Sequence, residues 1–187
     1  MPGKPKVILV VGPHNSGKTR TIELLASKLK GKIRVATMKH VHELDFTFDF
    51  KGKDTWRHRA AGAEATLALS RSEIALFTKT SPDRPGWSRL VSMLEGYDLV
   101  LAEGFRFKAG KRRDVWKIIT ARNLKEAEGF SRQVSPPVLA VVGWAEPLEG
   151  CLPSVPTLKL PEEAGKLIEL VLRRVLKRVK RRLPSKA

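Results

Sequence analysis

The sequence has 187 residues, 42% of them hydrophobic, enough for one substantial core. Its formal net charge of +17 favours anionic partners without choosing among nucleic acid, membrane surface, phosphorylated cofactor and acidic protein. The longest apolar runs, Val7 to Val11 and Val138 to Val142, fall far short of the roughly 20 residues that cross a bilayer as a helix, and the one cysteine, Cys151, excludes an internal disulfide.

The first residues lead straight into a strand-like run with no apolar leader segment, which predicts a cytoplasmic protein. Lys6 to Val11 is continuous, apolar and β-branched and ends at a glycine, the pattern of a strand buried on both faces. Beyond Lys18, Ile22, Leu25 and Leu29 recur at helical spacing and Gly31 follows as a stop. Ile33 to Met38 reads as the next strand, completing a βαβ unit, and 40–53 fits neither period. Asp54 is placed to cap a short helix through about Ala63. Ala65 to Leu69 and Ile74 to Thr78 then read as two short strands around Ser70 to Glu73.

After Pro82 and Pro85, Trp87, Leu90, Val91 and Leu94 mark an amphipathic helix, and Tyr97 to Glu103 a second buried strand. Gly104 to Arg113, basic and glycine-containing, reads as a mobile loop before strands Val115 to Ala121 and Val138 to Gly143. In the last segment Leu167, Val171, Val175, Val179 and Leu183 are spaced by four, with Arg173, Lys177, Lys180 and Arg181 elsewhere around the helix. This predicts a helix that packs on the core and carries a solvated basic face. The alternation implies an α/β fold with a mainly parallel central sheet. The expected organisation is a nucleotide-binding domain over 1–160 and a basic amphipathic C-terminal helix over 161–187 packed on it.

Gly12-Pro13-His14-Asn15-Ser16-Gly17-Lys18-Thr19 matches G-x-x-x-x-G-K-T between a buried strand and an amphipathic helix, the context that confirms a P-loop. A triphosphate needs many donors close to the backbone. The glycines let the chain wrap it, the N–H groups of Asn15, Ser16, Gly17, Lys18 and Thr19 point inward, and the helix start adds positive potential. Lys18 is expected to reach the β- and γ-phosphates, while His14 points away.

Thr19 is expected to offer its hydroxyl to Mg²⁺, and Glu103, ending an apolar strand, is the candidate acid for the ion or its water. Asp98, at the other end of that strand, is less well placed. Asp49, in the loop after the second strand, is a candidate to sense the γ-phosphate. His40, His42, Asp45 and Asp49 do not have the spacing of a standard zinc motif, so a hydrogen-bonding or phosphate-facing role is expected of the histidines.

Together, Gly12 to Thr19, Met38-Lys39-His40-x-His42, Asp49-x-x-Gly52-Lys53-Asp54-Thr55, Ala61-Gly62-Ala63, Leu101-Ala102-Glu103-Gly104-Phe105 and Lys117-Ile118 to Arg122 resemble the molybdopterin-guanine dinucleotide biosynthesis protein B (MobB) family over about Lys6 to Val142. The resemblance implies a three-layer P-loop NTPase fold and a homodimer. It also implies a GTP-binding protein that assists the nucleotidyltransferase attaching GMP to molybdopterin, with slow or partner-dependent hydrolysis. Carried over, Gly12, Gly17, Lys18 and Thr19 bind the phosphates and Mg²⁺, and Asp49 and Glu103 lie around the ion. Nucleic acid is not an expected partner. Gly143-Trp144 stands where the family often has an acidic residue, and no Asn/Thr-Lys-x-Asp guanine-reading motif occurs. The alternatives are a self-sufficient P-loop kinase or NTPase with 106–113 as a lid, and a metallochaperone GTPase using His40 and His42.

Overall fold

The computed structural model describes residues 3–43, 46–81, 85–145, 148, 150 and 152–177. Asp45, Pro82, Cys151 and the C-terminal positions Val179, Lys180, Arg181 and Leu183 lie outside the described residues. The chain forms two compact units, one drawn from Met1–His40 with Trp87–Ala187, the other from Val41–Gly86. The boundary expected at 160/161 thus falls inside the first unit.

The first unit holds β1 (Lys6–Val11), α1 (Lys18–Leu29), β2 (Val35–Lys39), α3 (Trp87–Ser92), β5 (Leu99–Glu103), α4 (Arg106–Ala109), β6 (Trp116–Thr120), α5 (Leu124–Ser131), β7 (Val138–Gly143), β8 (Thr157–Lys159) and α6 (Ala164–Leu170). The second holds α2 (Asp54–Ala60), β3 (Ala65–Leu69) and β4 (Ile74–Thr78). Six parallel strands make the sheet of the first unit in the order β2-β5-β1-β6-β7-β8.

Alternate residues of the central strands feed two cores, which is why these strands read as unbroken apolar runs. Val7, Leu9, Val11, Val100, Ala102 and Ile119 meet Trp87, Val91, Ala109 and Ala127 from α3, α4 and α5 on one face. Ile8, Val10, Leu99, Leu101 and Ile118 meet Leu25 and Leu29 of α1 and Leu167 and Ile168 of α6 on the other. Helices on both faces of a parallel sheet make a three-layer α/β fold of the P-loop NTPase type.

The C-terminal helix packs on the core as its spacing predicts, with Leu167, Val171 and Val175 buried. After Leu170 it widens into a π-helical turn, Val171–Val175, where Leu176 N–H donates to the Val171 carbonyl at 3.1 Å.

Three elements depart from the sequence reading. Within the stretch read as a loop, 106–109 form α4, and the Arg112 guanidinium grips the Asp114 carboxylate through two 2.9 Å bonds. Four residues are one turn, too short to show a period. The helix α5 went unread although Asn123 caps it, its Oδ1 accepting from Glu126 N–H at 3.0 Å. Strand β8, three residues long, lies in the proline-rich stretch. In the second unit Lys53, not Asp54, occupies the N-cap of α2, and Asp54 opens the helix.

Candidate functional site

β1 delivers the chain to the C-terminal edge of the sheet, beside the point where strand order reverses, which is where open α/β sheets bind ligands. Gly12 turns it there. A Cβ on Gly12 would lie 2.2 Å from both the carbonyl and hydroxyl oxygens of Thr120, so only glycine lets the loop pass β6 so closely. The buried Ser16 hydroxyl sits 2.6 Å from Thr120 Oγ1 and donates to the Pro13 carbonyl at 2.9 Å. Asn15 takes a left-handed conformation, φ 58°, and Gly17 opens α1 at φ 90°. The loop is therefore pinned from below by hydroxyls, and the first-turn N–H groups of α1 have no intrahelical acceptor.

Lys18 and Thr19 follow. The Lys18 ammonium donates to the Pro13 carbonyl at 2.6 Å. Burial pulls its pKa below the ordinary lysine value, opposed by the charge of Glu103 and reinforced by Lys39, and an anion brought to this place would raise it again. The Thr19 hydroxyl donates to the Glu103 carboxylate at 3.1 and 3.3 Å. Glu103 reaches this point because β5 pairs in register with β1, Val10 opposite Glu103. Two hard oxygens at this separation match adjacent ligands of an octahedral ion, which at Mg–O of about 2.1 Å lie about 3 Å apart. The residues present thus fit Mg²⁺.

The structure brings together Gly12, Asn15, Ser16, Gly17, Lys18, Thr19 and Glu103, all in the first unit. Asp49 belongs to the second, where its buried carboxylate accepts from Phe50 N–H at 3.0 Å, Thr55 Oγ1 at 2.8 Å and Arg59 Nη1 at 3.1 Å. His40 N–H donates to the Glu103 carbonyl at 2.9 Å, and its ring meets Phe105 edge-on with centroids 5.4 Å apart. Gly104 accommodates it, since a Cβ there would lie 2.8 Å from the His40 carbonyl oxygen. Among the described residues no three His, Cys, Asp or Glu side chains group as a metal would require. Asp98, at the far end of β5, accepts from Arg34 N–H at 2.8 Å.

Two contributors were not legible as site residues. Thr120 carries the hydroxyl 2.6 Å from Ser16 Oγ, and its single proton goes either to Ser16 or to the Val11 carbonyl at 3.2 Å. Trp144, just past β7, lies against Gly17 and donates from Nε1 to Thr21 Oγ1 at 3.0 Å. Thr120 falls inside the Lys117 to Arg122 stretch and Trp144 at a departure from the family pattern, but neither carried a site role in the sequence; sheet order brings both to the loop.

The family profile for molybdopterin guanine dinucleotide synthesis protein B matches residues 7–144. The chain belongs to the MobB family. A putative molybdopterin-guanine dinucleotide biosynthesis adapter protein of Methanocaldococcus jannaschii is 38% identical over 126 residues, 66% of this chain and 49% of that protein. The molybdopterin-guanine dinucleotide biosynthesis adapter protein of Haemophilus influenzae is 34% identical over 100 residues, 52% of this chain and 55% of that protein. The chain thus aligns with about half the length of these curated relatives. The crystal structure of Bacillus subtilis MobB superposes with a TM-score of 0.66 at 23% identity, covering 91% of this chain and 98% of that one, a likeness of fold. No helix among the described residues is long and apolar enough to cross a membrane.

Proposed function

We propose that this MobB-family chain binds Mg²⁺-GTP on the Gly12–Thr19 loop and acts as an adapter in molybdenum cofactor maturation, holding nucleotide for the nucleotidyltransferase that attaches GMP to molybdopterin. The observation that carries the reading is the meeting of Thr19 and Glu103, 3.1 Å apart, beside a half-buried Lys18 at the start of α1.

In this reading the first-turn N–H groups and Lys18 hold the phosphates. To do so, Lys18 exchanges the Pro13 carbonyl for phosphate oxygens. Thr19 and Glu103 would hold Mg²⁺, whose chemistry is to neutralise charge on the terminal phosphates. Asp49, which accepts from three local donors, serves the proposal by ordering the loop before α2.

The homodimer is part of the same proposal. β3 and β4 pair antiparallel with Leu67 opposite Leu76 and Leu69 opposite Ile74, and all four side chains are exposed. A two-stranded hairpin with an uncovered apolar face is marginal by itself, and a second copy of the chain is the cover we assign to it.

Rapid phosphoryl transfer needs an aligned nucleophile and positive charge at the transition state beyond Lys18 and the metal. The basic segment proposed as a lid in the kinase alternative has Arg112 committed to Asp114 and Arg106 lying over the Phe107 ring at 4.3 Å. Slow hydrolysis, on the order of 10⁻² s⁻¹ or less, is the expected result of a steady-state phosphate-release assay. Turnover above about 1 s⁻¹ by the isolated protein would refute the adapter reading.

A further inference from the structure

The Gly12–Thr19 loop has two unlike flanks along the C-terminal edge of the sheet. On one side of β1 stands β5, bringing Glu103 to Thr19; on the other, two strands away, β7 leads into Trp144. The indole is fastened to the first turn of α1 at three places. A Cβ on Gly17 would lie 2.2 Å from Trp144 Cδ1, so the ring edge rests on the bare Gly17 backbone. Nε1 donates to Thr21 Oγ1 at 3.0 Å. The Arg20 guanidinium carbon lies 4.0 Å from the ring centroid.

A satisfied structural tryptophan would need only the core contacts and the Thr21 bond. Here the ring is only half-buried and carries an exposed arginine, which places a cationic and aromatic pair beside the phosphate loop. If the metal end of a nucleoside triphosphate is set by Thr19 and Glu103, the chain of phosphates runs away from β5, and its nucleoside end arrives on the β7 side.

We propose that Trp144 and Arg20 form the nucleoside wall of the site, taking the planar base of a purine nucleotide by stacking. The inference rests on the phosphate-site reading above and adds to it the surface that recognises the base. Aromatic rings and guanidinium planes both stack on purines, and such stacking requires no edge-reading hydrogen bonds. This suits a chain with no Asn/Thr-Lys-x-Asp sequence.

Calorimetric titration of the full chain with GTP and with inorganic triphosphate, both with Mg²⁺, separates the two parts of the site. Trp144→Leu is expected to weaken GTP about tenfold, within the range of base–aromatic stacking, and inorganic triphosphate less than twofold. Trp144→Phe, which keeps a ring, should retain most of the GTP affinity. On the unmodified protein, GTP should quench tryptophan fluorescence and inorganic triphosphate should not, and Trp144→Phe should lose that quench; this holds even if the leucine variant folds poorly. Equal weakening of both ligands would make Trp144 a brace for the loop and overturn the proposal, as would unchanged GTP affinity in the leucine variant. A wild-type protein that binds neither ligand would overturn the phosphate-site reading itself, and this inference with it.

Discussion

Lys117 is fully buried on β6, the largest side chain without solvent exposure among the described residues, and its ammonium has the Arg112 carbonyl as acceptor. Burial lowers its pKa from 10.5 to about 8, opposed by the charge of Asp114. The folded chain therefore holds this proton less tightly than the unfolded chain. Below pH 8 both states are protonated, and folding bears the whole cost of burying the charge. Between about pH 8 and 10.5 the folded state releases its proton first, so stability rises with pH. The difference, 10.5 less about 8, corresponds to about 3 kcal/mol, most of it recovered between pH 7 and 10. Other lysines also titrate there and relieve the repulsion of a +17 chain, so the quantity to read is wild type minus Lys117→Met. Methionine keeps the bulk, removes the charge, and leaves the Arg112 carbonyl without its donor at a cost of about 1–3 kcal/mol, which shifts the whole curve without tilting it. Urea unfolding from pH 6 to 10 should give a wild-type curve that climbs on the variant's by about 2 to 3 kcal/mol. Parallel curves would refute the assignment of a costly buried charge.

Two further outcomes follow from the geometry around the loop. Gly17→Ala introduces a methyl at φ 90° into the Trp144 ring, and the positive φ together with the overlap should destabilise the fold by about 2–4 kcal/mol in thermal or urea unfolding; a loss under 1 kcal/mol would mean that Trp144 does not rest on the loop. Glu103→Gln keeps the shape and removes the charge, so it should weaken GTP binding in Mg²⁺ about tenfold while barely changing it in EDTA; equal losses in both would assign Glu103 to the architecture of the strand end.

The parts of the fold legible in the sequence are those whose signal is local. The Gly12–Thr19 loop is contiguous, and Glu103 stands at the end of a strand whose apolar run announces burial on both faces, so both could be placed before the sheet order was known. Trp144 and Thr120 could not be. Each reaches the loop only because β6 and β7 follow β1 in the sheet, and no spacing in the chain encodes that order. Asp49 shows a subtler limit: Arg59, ten positions onward across a turn and a helix, takes up its carboxylate, and neither residue type by itself distinguishes an ion-facing acid from an ion-paired one. Helix α5 did carry a readable signal, Asn123 followed three residues on by Glu126, the pattern of a capping box. It was obscured by the weak apolar periodicity that follows. The division into two units was hidden because the smaller one interrupts the larger between β2 and α3, and the irregular 40–53 stretch and the prolines at 82 and 85 read equally well as loops within one domain.

Titration calorimetry of Mg²⁺-GTP against the wild-type chain and Lys18→Ala tests the central claim most directly. Lys18 is half-buried beside Glu103 and contacts the loop through one carbonyl, so its removal should leave the fold intact and take away a charge-assisted phosphate contact. Saturable binding by the wild type and at least a tenfold loss in the variant are the predicted result. Binding by the variant within about threefold of wild type, less than about 0.7 kcal/mol, would contradict the placement of the triphosphate on this loop.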